Sequence, residues 1–380
     1  EMVNEWLSNP GRGIEMPYYG FDHLRLVSAS RGGHYRKWLS EQSPDALELL
    51  APENALPDNR YVAPQAWRTS LPEELYPTSY IGGQCQEFLR HHAAQDSERP
   101  FFLQCSFPDP HHPFTPPGRY WDMYDPADIP LPPSFGDDLL SRLPDIPELR
   151  EAFNASHSRG AYPYQVNERE ARESIALTYG MISMVDDQVG ELLALLDELG
   201  LVGNTVVIFT SDHGDYMSDH GLMLKLSLHY QGVLRVPFIW HDPAQPGGGA
   251  REAGMNGTLD IARTILDRAG LQPYFGIQGN SLLDTNVRHE GMLIEDYSLM
   301  YYFQPDGPNQ MLTYVEPDWR LSVFQATDWG ELYDLANDPH EMHNLWDDPA
   351  AQPQRARLTE AMIHEMMACR DHNYSPTSSA

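Results

Sequence analysis

The sequence predicts an α/β protein: a doubly wound, mostly parallel sheet flanked by helices, then a small antiparallel sheet and a terminal helix. Three observations carry this. Short apolar runs such as "TVVIF" (205–209) alternate with long segments whose apolar residues recur every three or four positions. Two of these runs stop at polar loops, "DPHHPF" and "SDHGD", and parallel sheets bind ligands beyond such strand ends. After about residue 285 the texture changes to short strand-like runs with turns between them. The expected organisation is an α/β domain over 1–285 and a C-terminal piece over 286–380.

Residues 1–80 are rich in Pro, Gly and aromatics and read as irregular. Within 77–95 a helix begins at Tyr80, placing Ile81, Cys85, Phe88 and Leu89 on one face. "PFFLQCSF" (100–107) reads as a buried parallel strand. Residues 117–165 form a Pro-studded excursion of the kind that shapes a substrate pocket. Over 168–199 Leu177, Met181, Val185, Val189, Leu192, Leu193 and Leu196 mark a helix, and Gly200 stops it. Val206 to Phe209 reads as a second buried strand and "RVPFIWH" (235–241) as a third. "TLDIARTILDRAG" (258–270) is a helix with a Thr or Asp start and a Gly stop. "HEGMLIEDY", "NQMLTYVEPDWRLSVFQAT" and "GELYDL" supply the small antiparallel sheet. "AQPQRARLTEAMIHEMMACRDH" is the terminal helix, and "NYSPTSSA" a loose tail. No internal repeat is present.

With 380 residues, 41% of them hydrophobic, a sizeable core can form. The formal net charge of −30 argues against nucleic acid, whose binding needs a basic face. An anionic substrate would require local cations that overcome this global field. Three cysteines, Cys85, Cys105 and Cys369, are too few for a disulfide scaffold. No apolar run approaches membrane-spanning length. The chain opens on Glu1-Met2-Val3 without an initiator Met or leader pattern, so either processing removed something or this is a fragment, and its location is left open with a lean to cytoplasmic over periplasmic.

Chemistry concentrates in "FTSDHGDYMSDHGL" (209–222), where Asp-His-Gly occurs twice. Asp212 and His213 directly follow the apolar strand. A carboxylate beside an imidazole can hold a divalent cation, or the pair can be a polar loop with a capping Asp. His111 and His112 lie in "PDPHHPF", where prolines fix the backbone; the alternative is a surface turn. Lys225 follows the second triplet, and His229 and Tyr230 are close enough to share its loop.

Several blocks, in order, resemble the sulfatase branch of the alkaline-phosphatase superfamily. "FFLQCSFPDPHHPF" is similar to that family's strand and Pro-His-x-Pro-Phe loop. "LTYGMISMVDDQVGELLALLDELGLVGNTVVIFTSDHGD" is similar to its long helix, strand and metal loop. "SDHGLMLKLSLHYQGVLRVPFIWHDP" is similar to its lysine loop, and "GTLDIARTILDRAGLQPYFGIQGNSLL" and "ELYDLANDPHEMHNL" to its late helix and C-terminal signature. The resemblance implies hydrolysis of a sulfate monoester, with phosphonate monoester or phosphodiester hydrolysis as the alternative and a catalytically dead binding or assembly protein as a second. It implies Asp212 and His213 as ligands of a divalent metal, calcium first, with manganese or magnesium as alternatives. It further implies that Lys225 and His111 contact the sulfate, with His112 beside them, and that His229 contacts or protonates the leaving group. The implied partner is a small-molecule or saccharide sulfate ester, with no nucleic acid and no membrane span.

One part of the pattern is missing. The family's nucleophile is a Cys or Ser in Cys-x-Pro/Ala-x-Arg, converted to formylglycine. Here Cys85 begins "CQEFL", Cys105 "CSFPD" and Cys369 "CRDHN", and "VSASR" (27–31) has Val27 at the nucleophile position. The expectation is that the formylglycine and further metal ligands lie upstream of Glu1, and that these 380 residues alone are inactive and either poorly soluble or dependent on a partner segment.

Overall fold

The structure, a computed structural model, describes residues 14, 16–28, 32–43, 45–95, 99–139, 163–225, 228–245, 249, 251, 254–274, 276–284, 287–296, 310–325 and 327–371. Most of the expected excursion (140–162) and the expected tail (373–380) lie outside them. The chain divides into two compact units. The first is Glu1–Leu131, Val166–Ile208 and Trp240–Pro246; the second is Pro132–Gln165, Phe209–Ile239 and Gly247–Ala380.

In the first unit, α1 (His34–Gln42) buries Tyr35 and Leu39. It occupies a region read as irregular, because it is short and has neither a side-chain N-cap nor an acidic first turn. Helix α2 (Pro77–Ala94) starts on a proline, where the missing N–H costs nothing, and buries Ile81, Cys85 and Leu89 as the periodicity requires. Helix α3 (Glu168–Glu198) opens with a capping box: Asn167 accepts from the Glu170 N–H, and Glu170 reaches back to the Asn167 N–H. It ends before Gly200, whose φ of 71° is the left-handed turn that glycine makes without strain. The buried Glu173 carboxylate accepts from the backbone N–H groups of Val62 and Ala63 and from Arg169, tying α3 to an otherwise irregular segment.

The run 100–107 corrects the strand expectation. No strand forms over these residues, which carry no regular secondary structure. Leu103, Cys105 and Phe107 pack on the cluster that holds Leu39, Ile81 and Cys85, while Phe102 is 62% exposed. Apolar content alone cannot distinguish a strand buried on both faces from one with a single covered face.

In the second unit, β1 (Tyr164–Gln165) pairs antiparallel with β3 (Leu222–Met223), with Tyr164 opposite Met223. Strand β2 (Val207–Thr210), which runs across the boundary of the two units, is hydrogen-bonded to β4 (Phe238–His241). The apolar runs predicted these strands but not their exposure: Phe209 is 38% and Ile239 59% exposed, so neither is a buried strand. Between them in sequence lies α4 (Gln231–Leu234). Helix α5 (Thr258–Arg268) is opened by Asp260, whose fully buried carboxylate accepts from the Gly257 and Asn280 N–H groups and meets His289.

The C-terminal sheet is an antiparallel meander of β5 (Met292–Asp296), β6 (Met311–Val315), β7 (Trp319–Phe324) and β8 (Gly330–Asp334). Helix α6 (Gln352–Asp371) covers one face, with Leu358 and Met362 against Leu321 and Leu332. The other face carries Phe324 and Tyr333 against Tyr216, Leu228 and Tyr230. This double cover explains why β8 is buried along most of its length. At the centre Arg320, fully buried, binds Glu331 and Glu341, and its guanidinium lies 5.2 Å from the Tyr230 ring centroid. Breaking such a buried pair typically costs about 3–5 kcal/mol. The α/β class with a C-terminal antiparallel sheet and helix is therefore the architecture of the chain. Among the described residues no helix is long and apolar enough to cross a membrane.

Candidate active site

Strand β2 delivers the chain directly into the first Asp-His-Gly triplet. The Asp212 side chain is 83% exposed and that of His213 is 42% exposed, with Asp212 Oδ2 and His213 Nε2 3.5 Å apart. His213 Nδ1 lies 2.7 Å from the Gly214 carbonyl, which can only accept, so the proton sits on Nδ1. The lone pair of Nε2 is thereby left on the side of the Asp212 carboxylate. Two donors bound to one cation at about 2.0–2.6 Å each stand roughly 3–3.5 Å apart. Spacing, tautomer and donor chemistry thus fit half of a divalent-cation site. Among the described residues no group of three or more His, Cys, Asp or Glu completes it.

The third residue of the triplet is also dictated. A Cβ on Gly214 would stand 1.9 Å from the Gly232 carbonyl oxygen, and the Gly214 N–H donates to Val233. Only glycine permits this approach.

Asp215 turns inward. Its Oδ1 accepts from the N–H groups of Met217 at 2.9 Å and Leu224 at 3.0 Å. Burial pushes its carboxyl up to about 7, against the pull of those donors and of Lys225. Lys225 comes next along the chain and is half-buried. Burial lowers its pKa, and the charges of Asp215 and Asp212 oppose that shift. One ammonium therefore shares an electrostatic neighbourhood with the exposed carboxylate. The chain has only two lysines, Lys37 and Lys225, so this placement is selective.

His229 does not sit as the sequence reading expected. It is buried, with Nδ1 2.8 Å from Thr313 Oγ1 and Nε2 3.3 Å from Asp296 Oδ2. Both ring nitrogens are engaged by the C-terminal sheet, which gives His229 the geometry of an anchor for the lysine loop. Tyr230 likewise packs into the core. Next to it, the Gln231 N–H donates to Glu341.

His111 and His112 belong to the first unit. His111 Nδ1 lies 2.6 Å from the His112 carbonyl, so the proton again sits on Nδ1, and the two rings are 4.0 Å apart. The Phe114 N–H donates to Gln65, pinning the end of this loop. Cys85 and Cys105 pack in the core of the same unit, Cys369 is half-buried on α6, and none has the setting of a nucleophile.

Two features escaped the sequence reading. Asp215 was visible only as one more aspartate, and the second triplet carried no sign that it would turn inward. The left-handed φ angles around it are set by tertiary contacts rather than by glycine.

Known proteins are similar to this chain in sequence and in fold. The sequence model of the Sulfatase family matches residues 81–271, and that of the N-sulphoglucosamine sulphohydrolase C-terminal region matches 218–368. An arylsulfatase of Clostridium perfringens is 29% identical over 345 residues, covering 90% of this chain and 67% of that protein. The chain thus spans about two thirds of that relative's length. The phosphonate monoester hydrolase of Silicibacter pomeroyi superposes with a TM-score of 0.77 at 23% identity, over 96% of this chain and 74% of that one. A protein solved in complex with its substrate, D-glucosamine-2-N,6-O-disulfate, superposes with a TM-score of 0.60 at 20% identity, over 80% of this chain and 72% of that one.

Proposed function

This chain belongs to the sulfatase family, and from that premise we propose that the protein it comes from hydrolyses a sulfate monoester of a small molecule or saccharide. The observation that carries the reading is the grouping at the end of β2. His213, with its Nδ1 proton fixed, presents Nε2 beside Asp212, and the lone half-buried ammonium of Lys225 feels the Asp212 charge.

In this reading Asp212 and His213 hold a divalent cation together with ligands from elsewhere in the protein. When bound, that cation would polarise a sulfate oxygen. Lys225 contacts a second oxygen and stabilises the charge that develops there. Its partial burial strengthens the interaction by excluding water. These cationic elements answer the net charge of −30, by focusing positive potential in an acidic shell. His111, with His112 beside it, is proposed as a sulfate contact on the strength of its Pro-His-x-Pro-Phe loop. The family generally uses formylglycine, and no cysteine of this chain stands in the required motif. The nucleophile is therefore proposed to come from residues outside this sequence. The original leaving-group role for His229 is replaced by that of an anchor.

The imidazole at position 213 supports a second reading, phosphonate monoester or phosphodiester hydrolysis, since Asp-His in place of Asp-Asn also occurs in that branch. The test is turnover by the full-length protein of an aryl sulfate and a phenyl phosphonate monoester. A sulfate preference supports the first reading, a phosphonate preference the second. Turnover of neither, with cation bound, would leave a binding protein. Undiminished turnover in Lys225→Ala overturns the anion role.

A further inference from the structure

The second triplet lies between Asp215 and Lys225 in a stretch whose backbone is unusual. Four non-glycine residues there are left-handed: Met217 (φ 44°), Ser218 (φ 73°), His220 (φ 51°) and Leu224 (φ 71°). Each such residue costs free energy and persists only where its surroundings over-determine it.

The surroundings that do so come from two directions. From residues 132–139, Ser134 Oγ donates to Asp219 Oδ1 at 2.8 Å and accepts from the His220 N–H at 3.3 Å. Asp137 Oδ2 lies 2.7 Å from His220 Nδ1, in a pair whose side chains are 8% and 2% exposed. A carboxylate only accepts, so His220 donates from Nδ1. From beyond Lys225, Tyr230 stacks on the His220 ring at 3.8 Å between centroids and 24° between planes. Tyr230 in turn is held under Arg320 and against Tyr333. The imidazole of His220 therefore meets Tyr230, so that the described ends of the lysine arc, residues 220–225 and 228–230, are held to each other.

We infer that His220, oriented by Asp137, is a positioning residue for Lys225: it joins the two ends of the lysine arc and so fixes where the ammonium points. The inference rests on the reading of Lys225 as the anion contact, since only there does the placement of its ammonium affect the reaction. A catalytic group displaced by about 1 Å can cost on the order of 100-fold in rate. His220 touches no substrate and acts entirely through the arc. Asp137 and Ser134 share its role from within the excursion.

The test uses His220→Ala, Asp137→Ala and the conservative Asp137→Asn, which keeps an acceptor oxygen for the imidazole, in the full-length protein. The first readout is the labelling rate of Lys225 by an amine-reactive ester, followed by peptide mass spectrometry. Lys37, exposed on α1, is the internal reference. Expected is a rise at Lys225 alone in His220→Ala and Asp137→Ala, with Asp137→Asn close to the parent. Turnover should fall by about 100-fold in the two alanine variants and be largely restored in Asp137→Asn. Unchanged Lys225 labelling in either folded alanine variant overturns the inference. So does an equal rise at Lys37 and Lys225, which would make His220 a support of the whole fold. Failure of the functional reading looks different: Lys225→Ala would then keep full turnover while the labelling pattern stood.

Discussion

Asp-His-Gly occurs twice within ten residues, and the two copies meet opposite fates. At 212–214 the carboxylate and imidazole face outward, and the histidine proton is tied to its own backbone. At 219–221 the histidine is buried, with its proton on a distant carboxylate and its ring on a tyrosine. The difference lies in what each Nδ1 finds. A local carbonyl leaves Nε2 beside Asp212, whereas Asp137 and Tyr230 take the second ring out of solvent. One tripeptide thus presents an exposed Asp-His pair in one place and serves as a structural brace in the other.

The comparison breaks most visibly at Asp212. Asp212→Ala in the full-length protein should abolish bound divalent cation by elemental analysis and lower turnover by a factor on the order of 1,000 or more. Full occupancy would move the cation elsewhere. Next in size is Lys225→Ala, where loss of one charged contact in the transition state should cost about 2.7–4 kcal/mol, roughly 100- to 1,000-fold in kcat. A loss confined to KM would mean that Lys225 binds substrate and transition state alike.

Stability separates the two histidines in the reverse order. His213→Ala, at an exposed position, should change unfolding free energy by no more than about 0.5 kcal/mol. His220→Ala removes a buried hydrogen bond and a stacked ring and should cost about 2–3 kcal/mol. Urea denaturation of the pair measures this, and equal costs would erase the distinction.

The smallest expected effect is one of pH. Burial lowers the Lys225 pKa, so the proton it needs is present at low pH and lost as pH rises through that lowered value. The alkaline limb of turnover, and of Lys225 amine reactivity, should lie below the ordinary lysine value of about 10.4. Asp215→Asn removes a carboxylate that works to raise it, and should move the limb to still lower pH. A shift to higher pH would show that burial is not the governing cause.

Much of the fold was legible because it is written in local patterns. The apolar stripe and capping residues of α3, the stop at Gly200 and the strand leading to Asp212 all depend on near neighbours in the chain. Helix α1 was not legible, since nothing in its sequence caps it. The run 100–107 showed its apolar content but not that Phe102 would face outward. In the site, Asp212, His213 and Lys225 were readable as residue types at the end of a strand. The engagement of His229 with Thr313 and Asp296 was not, because those partners lie 84 and 67 residues away in sequence.

By itself, then, the sequence determined most of the later helices and strands, the family, and the placement of an Asp-His pair at the end of β2 with a rare lysine in the loop beyond it. Those features follow from side-chain chemistry and short-range periodicity, which any stretch carries with it. Tertiary structure alone decided which of two identical triplets faces outward, which nitrogen of each histidine holds the proton, and that Asp215 turns inward beside Lys225. The reason is physical. Burial and hydrogen-bond partnership are properties of the space around a group, and for His220 that space is built by Asp137, 83 residues earlier, and by Tyr230 on the far side of the arc.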